Sequence, residues 1–261
     1  MASQIFNQEL FQIGLKTREI GRRCLYFDKV PTTIDVAAKE KHGTLVIAGE
    51  QTNGRGQRNN QWISPQGCAM GSVKLECPKS SPLGERVCFL QHIMALSAVW
   101  TLEKIDGSKM GKDKVGLKWP NDIIYRDPNG SQKLGGILVM TQDKFDKYDI
   151  TVSFGLNVFN WEPTTCISKI LSDGMKTKVP GLTMESVIAE MLNNLEQYTM
   201  DLTEEKFAYL KQDYEGRCLQ VDQVVNGENV GPVRVTGVND EGYLVGLNLS
   251  TNQLCSVTRI V

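Results

Sequence analysis

The chain has 261 residues, 41% hydrophobic and 23% charged, with 29 basic against 30 acidic side chains and a formal net charge of -1. That length buries one sizeable core or a main domain with a small one, and the charge balance gives no global basic field to recruit nucleic acid. No apolar run approaches the roughly 18 residues that span a bilayer, and the N-terminus lacks the basic-then-apolar order of a signal peptide; a cytoplasmic protein without a membrane partner is expected. In chain order, Phe6, Leu10, Ile13, Thr17 and Ile20 share a helical face, so a helix is predicted to close over Arg18 to Leu25. "CLYFDKVPTT" reads as a strand ending at Pro31, with Thr32 and Thr33 exposed at its edge, and "TIDVAAKE" as a short helix. "GTLVIAGEQ" and "CAMGSVKLEC" are strands, the second with small residues on one face. From about Glu85 to Lys104 a helix is predicted, because Val87, Leu90, Met94, Ala98 and Leu102 make one apolar stripe; His92 lies off it. "VGLKWPND" is a strand that Pro120 must stop or push to an edge, "DPNGSQ" a hairpin turn, and "KLGGILVM" and "YDITVSFGLNVF" the strands that follow. Met184 to Tyr198 and Leu202 to Tyr214 are further helices. Beyond Asp213, glycines punctuate "CLQVDQVV", "GPVRVTGV", "GYLVGLNL" and "QLCSVTRIV", the pattern of a small β-barrel or sandwich.

Seven cysteines, Cys24, Cys68, Cys77, Cys88, Cys166, Cys218 and Cys255, are scattered and include no C-x-x-C pair, so neither a disulfide framework nor a zinc site is expected. His42 and His92 are the only histidines, which leaves little basis for a histidine-centred metal site or a Ser-His triad.

Four segments carry candidate chemistry. After the apolar run Leu45 to Ala48, no apolar residue occurs from Gly49 to Gln61, and Trp62 closes the segment. Its "NGRGQRN" is neither standard phosphate motif and reads equally as a solvated loop; Arg55 and Arg58 suit a fixed anion such as phosphate or carboxylate. Nothing intrinsic is expected to fold this loop. In "LKWPND", Lys118 and Asp122 flank an aromatic-proline turn. Either the turn is rigid with a surface ion pair, or Lys118, Asn121 and Asp122 hold a nucleotide phosphate and its Mg²⁺. "QKLGGILV" sets Lys133 before paired glycines, which inside a strand often mark close approach of a ligand, and "FGLNV" repeats the theme with Gly155 and Asn157.

In this order, "EQTNGRG…W.SP.G", "KWPND", "KLGGIL" and "GLNV" resemble the catalytic core of biotin protein ligases, also called holocarboxylase synthetases. The resemblance covers nearly the whole chain, and "PTTCI" around Thr164 is similar to the eukaryotic branch. It implies an α+β fold: a mixed β-sheet catalytic domain packed with helices over residues 1–213, and a small SH3-like β domain over residues 214–261. The DNA-binding domain of the bifunctional bacterial members is not expected, since the first motif residues already fall at Thr32. The implied reaction joins biotin to ATP with Mg²⁺, giving biotinyl-5'-AMP and pyrophosphate, and passes biotin to a lysine in the biotin carrier domain of a carboxylase. The resemblance assigns the ureido head of biotin to Thr32, Thr33 and Gln51, and its rings and chain to Gly135, Gly136, Ile137 and Gly155, with the loop residues Gly54, Arg55, Gly56 and Gln57 closing on it. Arg55 and Lys133 are assigned to the carboxylate and phosphate. Arg58, Trp62, Lys118, Asn121 and Asn157 go with the nucleotide, and Asn121 and Asp122 with the metal. Lys133, Arg55, Lys118 and Asp122 form the implied catalytic set.

Two positions depart from the family's usual pattern. Gln57 stands where most members carry a second arginine after G-R-G, and Ser153 where many carry glycine. The first removes a charge from the loop and predicts faster loss of the adenylate. A lipoate ligase shares the related fold, and a non-catalytic binder of biotin or its carrier domain is the other alternative. The retained Lys118, Asp122 and Lys133 favour an enzyme.

Overall fold

The computed structural model describes residues 6–63, 65–127, 130–175, 177 and 179–261, without the side chain of Asn59. A seven-stranded mixed sheet forms the centre. Its strands are β1 (Cys24–Val30), β2 (Leu45–Gln51), β3 (Cys68–Pro78), β4 (Val115–Lys118), β5 (Asp122–Asp127), β6 (Gly130–Asp143) and β7 (Lys147–Asn157). They lie in the order β1-β2-β3-β7-β6-β5-β4, with β1 and β2 parallel and the other neighbours antiparallel. The helices are α1 (Gln8–Gly14), α2 (Thr33–Ala37), α3 (Pro82–Glu85), α4 (Leu90–Ile105), α5 (Gly107–Met110), α6 (Ile167–Leu171), α7 (Met184–Thr199) and α8 (Glu204–Glu215).

The pleat of the strands sorts side chains to two faces. Val73 and Leu75 of β3, with Ile150, Val152, Phe154 and Leu156 of β7, join the main core under α1, α4 and α7. The alternate residues Ser72, Thr151, Ser153 and Gly155 turn to the opposite face, where α2 packs and the 52–63 loop lies. α7 starts at the predicted Met184 and α8 at Glu204, two residues past the expected Leu202, because the side chains of Thr183 and Thr203 cap them. α4 does not show one apolar stripe. His92, Ser97 and Thr101 are buried along with its leucines, because sheet, α7 and α8 enclose it.

The N-terminal helix stops at Gly14, so the helix expected over Arg18 to Leu25 is not formed. The Glu196 carboxylate of α7 accepts from the backbone N–H groups of Arg18, Glu19 (2.9 Å) and Ile20 (2.8 Å), donors that a continuing helix would have used internally. "DPNGSQ" joins β5 to β6 with Asp127 opposite Gly130. Pro128 and Asn129 at its tip lie outside the described residues, as do Ser64 of the W-x-S-P segment and residues 1–5.

Toward the C-terminus lies a separate antiparallel sheet of β8 (Val224–Gly227), β9 (Gly231–Val238), β10 (Leu244–Asn248) and β11 (Leu254–Val257), in the order β11-β10-β9-β8. "CLQVDQVV" becomes strand only from Val224. The Leu117 N–H donates to the Arg217 carbonyl and the Leu219 N–H to the Leu117 carbonyl, each at 2.9 Å, so residues 217–219 extend the edge of β4 instead. Among the described residues no helix is long and apolar enough to cross a membrane. All seven cysteines are free thiols.

Candidate active site

A cavity of about 400 Å³ opens on the sheet face opposite α4 and α7, within the roughly 300–1,000 Å³ usual for small-molecule sites. Its floor is neutral and polar. Thr32 caps α2, its hydroxyl accepting from the Ile34 N–H at 3.3 Å. Thr32 and Thr33 are therefore buried, at 1% and 2% exposure, and not exposed at a strand edge. Both the N–H and the hydroxyl of Thr33 donate to Gln51 Oε1, at 2.8 and 3.2 Å. Thr33 Oγ1 lies 2.7 Å from Ser72 Oγ, which lies 2.9 Å from Ser153 Oγ. With the Thr33 proton committed to Gln51, the chain runs Ser153 to Ser72 to Thr33, leaving lone pairs of Ser153 free at the cavity surface.

One wall is the β4–β5 turn with the strand facing it. Lys118, Asn121 and Asp122 line the cavity, and the Lys133 ammonium reaches across from β6 to Asp122 Oδ1 at 2.6 Å. The strand beneath Lys133 is fixed from behind. Its carbonyl accepts from the Thr164 hydroxyl at 2.7 Å and from Asn157 Nδ2 at 3.4 Å. Asn157, expected at the nucleotide, is thus buried behind Lys133 and does not line the cavity. Asn121 continues the edge of β6: the Ile137 N–H donates to its backbone carbonyl at 2.9 Å, and its Nδ2 donates to the Ile137 carbonyl at 3.1 Å.

The turn itself is anchored in the core. Trp119 is 5% exposed; its N–H donates to Gln220 Oε1 at 3.0 Å and its indole to the Gly242 carbonyl at 2.9 Å. His92 Nε2 lies 2.9 Å from the same carbonyl. A carbonyl only accepts, so the imidazole carries its proton on Nε2, and Nδ1 is buried without a partner. Burial pushes the His92 pKa down to about 4, so the ring is neutral. His92 serves the packing of the C-terminal sheet on α4.

The facing wall is the loop. The expectation that nothing intrinsic holds it is corrected by its own hydrogen bonds, from the Gly56 N–H to the Asn60 carbonyl (2.7 Å) and from the Trp62 N–H to the Gly54 carbonyl (2.9 Å). A 3₁₀ turn, Gln57–Asn59, forms its crest, with Arg58 at φ 57° in the left-handed region. Arg55 Nη2 donates to Asp35 Oδ2 of α2 at 2.7 Å, and Gln57 Nε2 to Gln91 Oε1 of α4 at 3.2 Å. The Trp62 indole lies on Gly155 and Gly136, where an added Cβ would come within 2.5 and 3.4 Å of it. These two glycines are a flat bed for an aromatic ring. The Lys133 ammonium stands 5.2 Å from the ring centroid, a cation–π distance.

Of the expected residues, Thr33, Gln51, Arg55, Gly56, Gln57, Arg58, Trp62, Lys118, Asn121, Asp122, Lys133, Gly136, Ile137 and Gly155 do converge on this cavity. Thr32 and Gly54 are buried behind it, and Gly135 serves strand packing, since a Cβ there would meet the Gly155 carbonyl at 2.7 Å. Sequence reasoning missed Ser72, Gln91, Thr164 and Ile260, the last reaching the cavity rim from the C-terminal sheet. Ser72 had a signal, a hydroxyl between Met70 and Lys74 on one face of a largely apolar strand. The charged lining residues are Arg55, Arg58, Lys118 and Lys133 against Asp122, which suits a polyanion. Among the described residues no cluster of three His, Cys, Asp or Glu could hold a metal. Asn121 and Asp122 offer a partial oxygen donor set, with one Asp122 oxygen already on Lys133.

The profile of the Biotin/lipoate A/B protein ligase family matches residues 26–157, about half of the chain. The chain is 30% identical over 254 residues to a human biotin–protein ligase, covering 93% of this chain and 34% of that protein. It is 28% identical to the chloroplastic biotin–protein ligase 1 of Arabidopsis thaliana, covering 93% of this chain and 67% of that one. The fold superposes on a biotin protein ligase from Aquifex aeolicus, solved in complex with biotin and ATP, with a TM-score of 0.70 at 20% identity, over 91% of this chain and 96% of that one. The chain thus spans about a third of the human relative's length. From strand β1 to the end of β7, the segment that builds the cavity, it belongs to the biotin/lipoate A/B protein ligase family.

Proposed function

We propose that the protein is a biotin–protein ligase that activates biotin with ATP and transfers it to a lysine of a biotin carrier domain. The observation that carries this reading is the pairing of a neutral hydroxyl-and-amide floor with a cationic wall under one loop. A ureido ring has a carbonyl and two N–H groups, and Thr33, Gln51 and Ser153 are the groups to meet them. The apolar dithiolane of lipoate brings no hydrogen-bonding group to this polar floor and matches it less well.

In the first step a biotin carboxylate oxygen bonds to the α-phosphorus, the bond from that phosphorus to the β-phosphate oxygen breaks, and pyrophosphate leaves. Two anions must meet, and Lys133, Lys118, Arg55 and Arg58 line the place where they would. Asp122 orients the Lys133 ammonium through its 2.6 Å contact. Mg²⁺ fits as an ion carried on the triphosphate, with Asp122 and the side-chain oxygen of Asn121 as protein donors, and bound there it would neutralise phosphate charge. In the second step the carrier lysine's amine attacks the acyl carbon, the bond to AMP breaks, and Asp122 is the nearest carboxylate to receive the amine's proton. Trp62 and the loop exclude water from the labile mixed anhydride between the steps.

The test is incubation with biotin, Mg-ATP and an apo carrier domain, read by intact mass. One added biotinyl group on the carrier is expected. Absence of biotin-dependent pyrophosphate release, or preference for lipoate, would overturn the reading.

A further inference from the structure

Gln91 lies in the first turn of α4, half-buried and outside the cavity lining. Its Nε2 donates to the Pro120 carbonyl at 2.9 Å. Because that carbonyl can only accept, the amide's orientation is fixed and its oxygen must face the other way, toward the loop. There it accepts from Gln57 Nε2 at 3.2 Å. Gln57 is at the loop's crest, and Pro120 sits between Lys118 and Asp122 in the opposite wall. One side chain therefore spans the two walls of the cavity.

We infer that Gln91 is a positioning residue that joins the loop to the turn and sets how long the loop stays closed over the cavity. The loop's internal hydrogen bonds, Gly56 to Asn60 and Trp62 to Gly54, shape it without tying it to the rest of the fold. The Arg55–Asp35 pair ties it to α2, but both side chains are largely exposed, at 41% and 53%, where an ion pair holds little. Beside the Trp62 indole on Gly136 and Gly155, the amide chain is the hydrogen-bonded tie from the loop's crest to the catalytic wall. It also gives Gln57 a purpose that a charge count misses: the fixed Gln91 oxygen demands a donor at position 57, and an uncharged amide supplies one. Gln57 then acts by holding the loop rather than by gripping a phosphate. What the loop retains rests on the ligase reading; the latch itself does not.

The experiment therefore has two arms on the full chain. In the first, hydrogen exchange is followed over residues 54–62 of the ligand-free protein, with the thermal midpoint as a check of the fold. Gln91→Ala is expected to speed exchange there roughly three- to tenfold, the loss of one neutral hydrogen bond. Gln91→Glu, which keeps the acceptor for Gln57 but cannot donate to Pro120, should do the same. The double variant Gln57→Ala/Gln91→Ala should add nothing to Gln91→Ala, because both act through one chain. Gln91→Asn, one methylene shorter, stands in should Gln91→Ala fail to fold. In the second arm, preformed biotinyl-AMP is chased from the protein, and Gln91→Ala should release it faster by a similar factor. Unchanged exchange over 54–62, or additive effects in the double variant, overturns the latch. Faster exchange with unchanged adenylate release overturns its role in retention. If the unmutated protein makes no adenylate, the ligase reading fails, and the exchange arm still decides the latch.

Discussion

The two walls of the cavity are built by opposite means. The turn from Lys118 to Asp122 hangs on Trp119, whose ring is in the core and whose backbone and indole bond to Gln220 and Gly242. The loop from Thr52 to Gln61 has no apolar side chain; the N–H groups of Thr52 and Asn53 hold its base to the Val30 and Pro31 carbonyls, and the rest lies on Trp62, an exposed ion pair and an amide chain. Ordering a backbone costs roughly 1–2 kcal/mol per residue. Core burial offsets that cost at the turn, while the loop has few contacts to offset it. The lysine, asparagine and aspartate of the turn consequently stand on the better-held wall, and the loop is the wall with fewer contacts to fix it. On the ligase reading proposed above, a site that must admit two anions, exclude water and then admit a protein benefits from one well-held wall and one that yields.

Lys133 on the fixed wall carries the largest expected effect. Lys133→Ala should lower biotin-dependent pyrophosphate release by at least about 100-fold, the usual cost of removing one donor from a charge-stabilising site. Its unfolding midpoint should stay close to that of the parent, since the side chain is partly exposed and Thr164 and Asn157 hold the backbone. A near-normal rate of release would remove Lys133 from the chemistry.

The anchoring of the fixed wall should depend on pH through His92. Its pKa falls from 6.5 to about 4 on burial, so the unfolded chain binds a proton that the folded chain refuses. Stability from this group is fully present above pH 6.5 and is lost as pH falls toward 4; the displacement corresponds to about 3 kcal/mol. His92→Gln keeps a donor for Gly242 and cannot titrate. Urea unfolding at pH 7 and pH 4.5 should show the variant losing about 2–3 kcal/mol less than the parent. Parallel losses would place the proton elsewhere.

The same substitution made in the support of each wall sharpens the contrast. At Gly242, φ is +80° and a Cβ would lie 2.4 Å from His92 Nε2. Gly242→Ala should cost roughly 1–3 kcal/mol of stability with little change in loop exchange. At Gly155 a Cβ would lie 2.5 Å from the Trp62 ring. Gly155→Ala should push the indole off its bed and speed exchange over residues 54–62, with a stability change below about 1 kcal/mol because the loop supports little of the core. Equal stability losses at the two positions would mean that the walls are equally built into the fold.

The smallest effect is expected at Asp35. Asp35→Asn removes an exposed ion pair with Arg55 and should change stability by roughly 0.2–1 kcal/mol, less at high salt. A larger loss that salt does not weaken would make α2 a structural support of the loop.

Much of the site was legible before the fold was known. The cations, the glycine bed, the indole and the acid of the turn all stand in short segments whose order along the chain was informative. Most of them do meet at one cavity. α7 and α8, most of the strands and the separate C-terminal sheet followed from periodicity and turn residues, because those signals act between near neighbours. What the sequence left open depended on partners far along the chain. Glu196 ends the N-terminal helical path by accepting from residues 176 to 178 positions away. His92 is buried because a carbonyl 150 residues on reaches it, and Trp119 is fixed by Gln220, 101 residues on. Thr32 and Thr33 are interior because α2 begins at them and packs on β2 and β3. Gln91 carries no motif at all, and its place between loop and turn exists only once α4 is docked beneath both. Residue chemistry and the order of the motifs, through the resemblance they carry, were enough to name most of the groups that line one cavity. Which groups hold those in place is decided by packing, since hydrogen-bond partners brought together by a fold leave no pattern in the order of the chain.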